Sequence, residues 1–170
     1  MTHKEFRLFF NEKISAVYPK AEVDSLYVQL MEFALNMSHA EMIIKSDEII
    51  GKHKLKNLLE YITRLEKKEP IQYIIGQVNF ADVPINVNNH VLIPRPETES
   101  LVYWIKEQEQ QNPSVLDICT GSGCIAFALE KHLHAKVNAW DISHKALQLA
   151  KQTAKAIGSS VNFSNVDILS

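Results

Sequence analysis

Over the first 69 residues the apolar positions recur at intervals of three and four, the spacing that lines one face of an α-helix. Phe6, Phe9, Phe10, Ile14 and Val17 make one stripe, and Val23, Leu26, Tyr27, Leu30, Met31 and Ala34 make a second. Ser38 and Glu41 have the spacing of a capping box just ahead of Met42, Ile43 and Ile44, which predicts a third helix start. Leu55, Leu58, Leu59, Ile62 and Leu65 form a fourth stripe, stopped by Pro70, which can neither donate to nor fit inside a helix. The first glycine is Gly51, so residues 1–70 read as a small helical bundle of the kind that docks a partner.

From Ile71 the period changes. The stretch "YIIGQVNFADVPINVNNHVLIP" alternates, carries β-branched residues, and is broken by Gly76, Pro84 and Asn88-Asn89, which predicts a hairpin over 71–95 linking two domains. "PETESLVYWIKEQEQ" (96–110) then reads as a helix, with Pro96 in its first turn and Glu97 and Glu99 against the positive end of the dipole. Residues 96–170 repeat strand and helix. "SVLDI" (114–118) precedes a helix from about 123 to 133, with Ile125, Leu129 and Leu133 on one face. "KVNAWD" (136–141) precedes a helix capped by Ser143, with Ala146, Leu147, Ala150 and Ala154 turned inward, and "VNFSNVD" (161–167) begins a third strand. That alternation predicts an α/β fold: a parallel sheet of doubly wound design behind a helical bundle and a hairpin.

Composition narrows the classes. The 170 residues are 46% hydrophobic and 22% charged, enough for a sizeable core and unlike a disordered chain. A net charge of -2 excludes a strongly basic nucleic-acid-binding protein, and no direct nucleic-acid binding is expected. Only "GKHKLKNLLEYITRLEKK" (51–68) is locally basic, with six Lys/Arg against Glu60 and Glu66. A solvated helix face accounts for it, docking to an acidic or RNA-rich partner being the alternative. Cys119 and Cys124 stand outside any Cys-x-x-Cys or Cys/His cluster and read as reduced packing residues. His132 and His134, at a helix end with no further ligands nearby, read as surface histidines, and no metal site is expected. No run approaches the roughly 18 apolar residues of a membrane span, and Lys4, Glu5 and Arg7 occupy the place where a signal peptide is apolar. A soluble, cytoplasmic protein is expected.

The candidate chemistry sits in "VLDICTGSGCIAFAL" (115–129). A glycine turn between a strand end and a helix start exposes backbone N–H groups at the positive end of the dipole, where a ligand can approach closely. Asp141 ends the next strand, 20 residues after Gly121, where a carboxylate can accept from both hydroxyls of a ribose. Asp167 ends the third strand. Capping by Asp141 and a surface turn at Asp167 are the structural alternatives. Gly121-Ser-Gly123-Cys-Ile-Ala126 also satisfies the dinucleotide pattern G-x-G-x-x-[GA]. Asp117, four residues before Gly121, bears against that ligand, because a carboxylate repels a pyrophosphate and attracts an ammonium. An adenosine carrying an amino acid, S-adenosylmethionine, matches Asp117 and Asp141 better than a nicotinamide cofactor does.

"VLIPRPETESLV" (91–102), followed by "VLDICTGSGCIAFAL" and "AWDIS", resembles the release-factor glutamine methyltransferases, the HemK/PrmC family. "EPIQYIIGQVNF" and the helical first half are similar to that family's substrate-docking domain and linker hairpin. The resemblance covers the whole chain but only part of the family's length. It implies a class I, Rossmann-like methyltransferase that transfers the sulfonium methyl of S-adenosylmethionine to the glutamine amide in the Gly-Gly-Gln loop of class I peptide chain release factors, a step of translation termination. It further implies that Cys119, Thr120, Gly121, Ser122 and Gly123 wrap the methionine part, with Asp117 toward its ammonium. Asp141 would then bind the ribose, Asp167 and Ile168 frame the adenine edge, and Pro94, Arg95, Glu97 and Thr98 form the near wall of the pocket. Arg95 tying the hairpin to the helix is the structural alternative. Two departures stand out. Cys119 occupies a position that is usually glycine in the family, and the family's Asn-Pro-Pro-Tyr motif, which orients the amide, is not in the chain. No catalytic residue is therefore assigned, and the expectation is an N-terminal fragment, catalytically incomplete, with "SVLDI" as an apolar sheet edge that promotes self-association. A nucleotide-dependent oxidoreductase and a non-catalytic docking protein are the alternatives.

Overall fold

Thr2 opens the first helix by accepting from the Glu5 N–H while the Glu5 carboxylate accepts from the Thr2 N–H, a complete capping box. A computed structural model describes residues 1–108 and 112–169 and places five helices in the first of two compact units, Met1–Ile75. They are α1 (His3–Ile14), α2 (Lys20–Leu35), α3 (His39–Ile44), α4 (Lys52–Glu66) and α5 (Ile71–Ile75). The predicted stripes meet in one core: Phe6, Phe10, Tyr27, Leu30, Met31, Leu58, Ile62 and Leu65 are all buried, with Phe10 and Tyr27 edge to face at 5.4 Å. Leu59 departs from its stripe and lies exposed. The capping box expected at Ser38 and Glu41 is present at the start of α3.

Residues 71–95 form a hairpin only in part. Ile71–Ile75 is helical, because Pro70 supplies a carbonyl to the N–H groups of Tyr73 and Ile74 and its fixed φ suits a helix start. Ile71 and Ile74 are then buried at helical spacing.

The second unit, Gly76–Ser170, begins with the hairpin proper, β1 (Gln77–Phe80) and β2 (Val83–Asn86), paired antiparallel with Phe80 opposite Val83. Its two-residue turn, Ala81-Asp82, holds φ at +46° and +62°, the left-handed pair a tight hairpin demands. Then follow α6 (Pro96–Gln108), β3 (Ser114–Ile118), α7 (Cys124–Leu133), β4 (Lys136–Asp141), α8 (His144–Ile157) and β5 (Asn162–Asn165). The last two residues expected in α6, Glu109 and Gln110, lie outside the described residues.

β3, β4 and β5 lie side by side in that order, all parallel, with Asp117 opposite Ala139 and Asp141 opposite Asn165. Right-handed crossovers between sequential neighbours put α7 and α8 on the same face. Val137, Ala139 and Phe163 are accordingly buried beneath them, while Leu116 and Ile118 on the opposite face are 44% and 47% exposed. Doubly wound sheets are covered on both faces; among the described residues this one is covered on one, and β3 is an edge strand. The hairpin packs on α7 and α8. Thr153 Oγ1 accepts from the Asn86 N–H at 3.2 Å, Lys131 donates to the Asp82 carbonyl at 2.6 Å, and His132 Nε2 lies 2.9 Å from the Ala81 carbonyl. His132 is thus no free surface histidine: it donates its Nε2–H to a left-handed turn, whereas His134 is exposed at the left-handed C-cap of α7.

Candidate functional site

The parallel ladder delivers three acids to the carboxyl edge of the sheet, the end at which open α/β sheets bind ligands. Asp117 is the fourth residue of β3, Asp141 is the last of β4, and Asp167 lies two residues beyond β5.

Between β3 and α7 the backbone turns sharply. Cys119, Gly121 and Gly123 all have positive φ, at +62°, +55° and +81°. Two of the three are glycine, which takes this region freely; Cys119 holds it with a side chain, consistent with a position at which glycine is the easier fit. Three hydrogen bonds set the path: the Thr120 N–H donates to the Trp140 carbonyl (2.9 Å), the Gly123 N–H to the Thr120 carbonyl (2.8 Å), and the Gly121 N–H to Asp141 Oδ2 (2.8 Å). Thr120 and Ser122 are buried within the turn. The two glycines differ in surroundings. A Cβ on Gly123 would lie 2.7 Å from Cε2 of Phe127, so that glycine is required by packing of the turn on its own helix. A Cβ on Gly121 would meet no atom within 4 Å, so the backbone there faces open space.

Asp117 is held beneath the turn. Thr120 Oγ1 donates to its Oδ2 at 2.6 Å, and the Ala126 N–H also donates to the carboxylate. Burial nevertheless pushes its pKa above the usual carboxylate value, those two hydrogen bonds opposing the shift and the Asp141 charge adding to it. A carboxylate in that state is stabilised by a cation placed against it. Asp141 bridges two elements: Oδ2 takes the Gly121 N–H and Oδ1 takes the Ser143 N–H at 2.8 Å, while Ser143 itself caps α8 through the Ala146 N–H at 3.2 Å. The capping alternative is therefore part of the arrangement, and the two remaining lone pairs of the carboxylate stay available. Asn165 Nδ2 donates to the carbonyls of Asp141 and Ile142, and the Asp167 carboxylate accepts from the Leu169 N–H at 2.9 Å. Ile168 beside it is exposed.

Asp117, Thr120, Gly121, Gly123 and Asp141 thus form one hydrogen-bonded unit, and Asp167 with Ile168 stands along the same edge. Pro94 and Arg95 precede α6, and Glu97 and Thr98 form its first turn, where the Thr98 N–H donates to the Arg95 carbonyl at 3.0 Å. They connect to the turn through α6, which packs against α7. Cys124, half-buried at the start of α7, has its thiol pKa pushed up by burial, which suits a packing residue; Cys119 is exposed. The Trp140 carbonyl and the Ala126 N–H complete the turn, and as backbone groups they carry no signal in residue type. No group of three His, Cys, Asp or Glu side chains among the described residues is set to hold a metal ion, and no helix among them is long and apolar enough to cross a membrane.

Residues 14–76 match the family model described as the PrmC N-terminal domain, and residues 115–170 match one described as a methyltransferase domain. A release factor glutamine methyltransferase of Bacteroides thetaiotaomicron is 38% identical over 163 residues, which cover 95% of this chain and 59% of the relative. The protein of the same name from Flavobacterium psychrophilum is 34% identical, across 99% of this chain and 61% of the relative. That of Lactococcus lactis is 44% identical over 124 residues, 72% of this chain and 46% of the relative. The chain therefore spans about three-fifths of the length of the first two. Residues 14–76 thus belong to the PrmC N-terminal domain family and residues 115–170 to a methyltransferase domain family, and the chain that carries both in this order is similar, along 95–99% of its length, to release factor glutamine methyltransferases.

Proposed function

We propose that the second unit binds S-adenosylmethionine at the carboxyl edge of its sheet, in an enzyme that methylates the glutamine amide of the Gly-Gly-Gln loop of class I peptide release factors. The observation that carries the reading is Asp117, a half-buried carboxylate with a raised pKa beside a turn whose Gly121 faces open space. An α-ammonium against Asp117 would restore its ordinary ionisation. A pyrophosphate would add negative charge to a carboxylate that burial already disfavours, which weighs against a nicotinamide cofactor.

Bound there, S-adenosylmethionine supplies an electrophilic methyl on a sulfonium. The residues of this chain bind and orient it. Thr120 and the Ala126 N–H fix the Asp117 carboxylate, and the turn from Cys119 to Gly123 offers its backbone to the amino-acid part. Asp141 presents its free lone pairs to the ribose, Asp167 and Ile168 edge the adenine, and Pro94, Arg95, Glu97 and Thr98 wall the near side. An amide nitrogen is a weak nucleophile, so the transfer depends on positioning and on charge complementarity. The motif that performs the positioning in the family, Asn-Pro-Pro-Tyr, does not occur in these 170 residues, and no catalytic residue is assigned among them. In the same reading, residues 1–70 dock the release factor, 71–95 join the two functions, and 96–170 hold the cofactor. A substrate in translation termination places the activity in the cytoplasm.

Calorimetric titration tests the cofactor reading. S-adenosylmethionine is expected to bind and a nicotinamide dinucleotide not to. Asp117→Asn should weaken binding by about 1.5–3 kcal/mol, the scale of losing a hydrogen bond to a charged group. Tighter binding of the dinucleotide, or an Asp117→Asn variant that binds as well as the parent, refutes it.

A further inference from the structure

The ladder between β4 and β5 ends at the pair Asp141 and Asn165. Just past that pair, the Val166 N–H donates to the Asp141 carbonyl at 3.2 Å. The chain then turns at once into α8, whose N-cap is Ser143. Ile142 lies outside that helix, so its carbonyl takes no part in the helical hydrogen bonds.

Asn165 serves this corner. Its Nδ2 donates one hydrogen to the Asp141 carbonyl at 2.9 Å and the other to the Ile142 carbonyl at 2.8 Å. An amide nitrogen carries two hydrogens and can satisfy two carbonyls; an aspartate of the same size would offer none. The side chain thus extends the ladder by one residue, up to the helix cap. Asp141 is thereby held from three elements. Its carboxylate accepts from the Gly121 N–H of the glycine turn and from the Ser143 N–H, both at 2.8 Å, and its backbone is held from β5.

We propose that Asn165 is a positioning residue for the cofactor ribose, acting through the Asp141–Ile142 corner to aim the free lone pairs of the Asp141 carboxylate at the ribose hydroxyls. This rests on the reading of Asp141 as the ribose ligand. Hydrogen bonds weaken steeply as they bend, so the direction of a carboxylate matters as much as its presence. A stitch that served the sheet alone could stand anywhere along β5. Asn162, at the other end of that strand, makes one, its Nδ2 donating to Asn138 Oδ1 at 3.0 Å. Asn165 instead stands opposite the acid and spends both hydrogens on the corner that carries it.

Calorimetry with S-adenosylhomocysteine and its 2′-deoxyribose analogue tests the role. In the parent chain, loss of the hydroxyl should weaken binding by about tenfold or more, the scale of a hydrogen bond to a charged group. In Asn165→Ala that penalty should fall to about threefold or less, the mark of two coupled groups. Asn165→Leu, which keeps the bulk of the side chain and lacks the donor, should behave in the same way. Asn162→Ala should keep the penalty of the parent. A purely structural Asn165 would lower the urea midpoint, or weaken both ligands by one factor, and leave their ratio alone. The proposal is therefore overturned if either Asn165 variant retains the ratio of the parent, or if a folded one binds neither ligand. An equal fall of the ratio in Asn162→Ala overturns it too. A parent chain indifferent to the hydroxyl, or one that binds neither ligand, refutes the ribose reading of Asp141 and the positioning role with it.

Discussion

Gly121→Ala and Gly123→Ala should separate what the turn needs to fold from what it needs to bind. Both glycines have positive φ, so an alanine at either incurs a left-handed penalty of about 1 kcal/mol. Beyond that the two sites differ. At Gly121 the new Cβ meets nothing within 4 Å, and the stability loss should stay near 1 kcal/mol. At Gly123 it lies 2.7 Å from the Phe127 ring, which is 1% exposed and packed 5.6 Å from the Phe163 ring, so the ring cannot swing away freely. Overpacking of that kind adds about 1–3 kcal/mol, for a total of about 2–4 kcal/mol. Cofactor binding should rank the other way among molecules that are folded: Gly121→Ala should weaken it more, because its methyl projects into the space the ligand is proposed to use. Urea titration followed by tryptophan fluorescence is the assay. Trp104 and Trp140 are the two tryptophans of the chain and both belong to the second unit, so the signal reports that unit alone. With a slope of about 2 kcal/mol per molar urea, the expected midpoint shifts are near 0.5 M and 1–2 M. Equal losses of stability would refute the packing argument, and unimpaired cofactor binding by the Gly121 variant would refute the claim that the open side of the turn faces the ligand.

Cys119→Gly should raise stability by about 0.5–1 kcal/mol, since relief of a left-handed side chain outweighs the added freedom of the unfolded chain; a loss of stability in the same urea assay would count against strain at φ +62°. His132→Ala should cost about 0.5–1.5 kcal/mol through the lost hydrogen bond to the Ala81 carbonyl, and proteolysis of the hairpin should quicken in step, an unchanged rate being the contrary result. The folded-state pKa of His3 lies below the unfolded value of about 6.5, so the unfolded chain takes up the proton first and stability is lost as pH falls through 6.5; thermal unfolding from pH 7.5 to 5 should show this, and His3→Gln should flatten the slope. In a radiolabelled transfer assay on a release factor these 170 residues should show little or no turnover, and vigorous activity would mean that the amide is oriented by residues other than the family motif.

What was legible in the sequence is what repeats or what a single residue type enforces. Phe6, Phe10 and Ile14, or Val23, Leu26 and Leu30, declare a buried face by spacing alone, and Ser38 with Glu41 declares a helix start. The glycine turn and Asp117 and Asp141 could be placed at strand ends because strand and helix alternate so regularly around them. The exceptions have physical causes too. Ile71–Ile75 carries β-branched residues that suit a strand, and only the Pro70 carbonyl and the burial of Ile71 and Ile74 tip it into a helix. The hairpin turn at Ala81-Asp82 lacks the glycine or asparagine that would advertise left-handed backbone, because Lys131 and His132 secure its carbonyls from another element. Leu116 and Ile118 are apolar yet exposed, since alternation along a strand does not say whether a second layer covers its other face.

The Asp141 carboxylate clamps the Gly121 N–H on one side and the Ser143 N–H on the other, and this sets when the entropy of ordering is lost. A glycine loop left free would have to be immobilised by its ligand, and that cost would be subtracted from the affinity. Here the loop is tethered as the chain folds, to the same side chain that is proposed to recognise the ribose. Association should therefore proceed without a slow conformational phase, at a rate proportional to ligand concentration. Breaking the clamp should appear first as a lag in that encounter, before it appears as any change in the final complex.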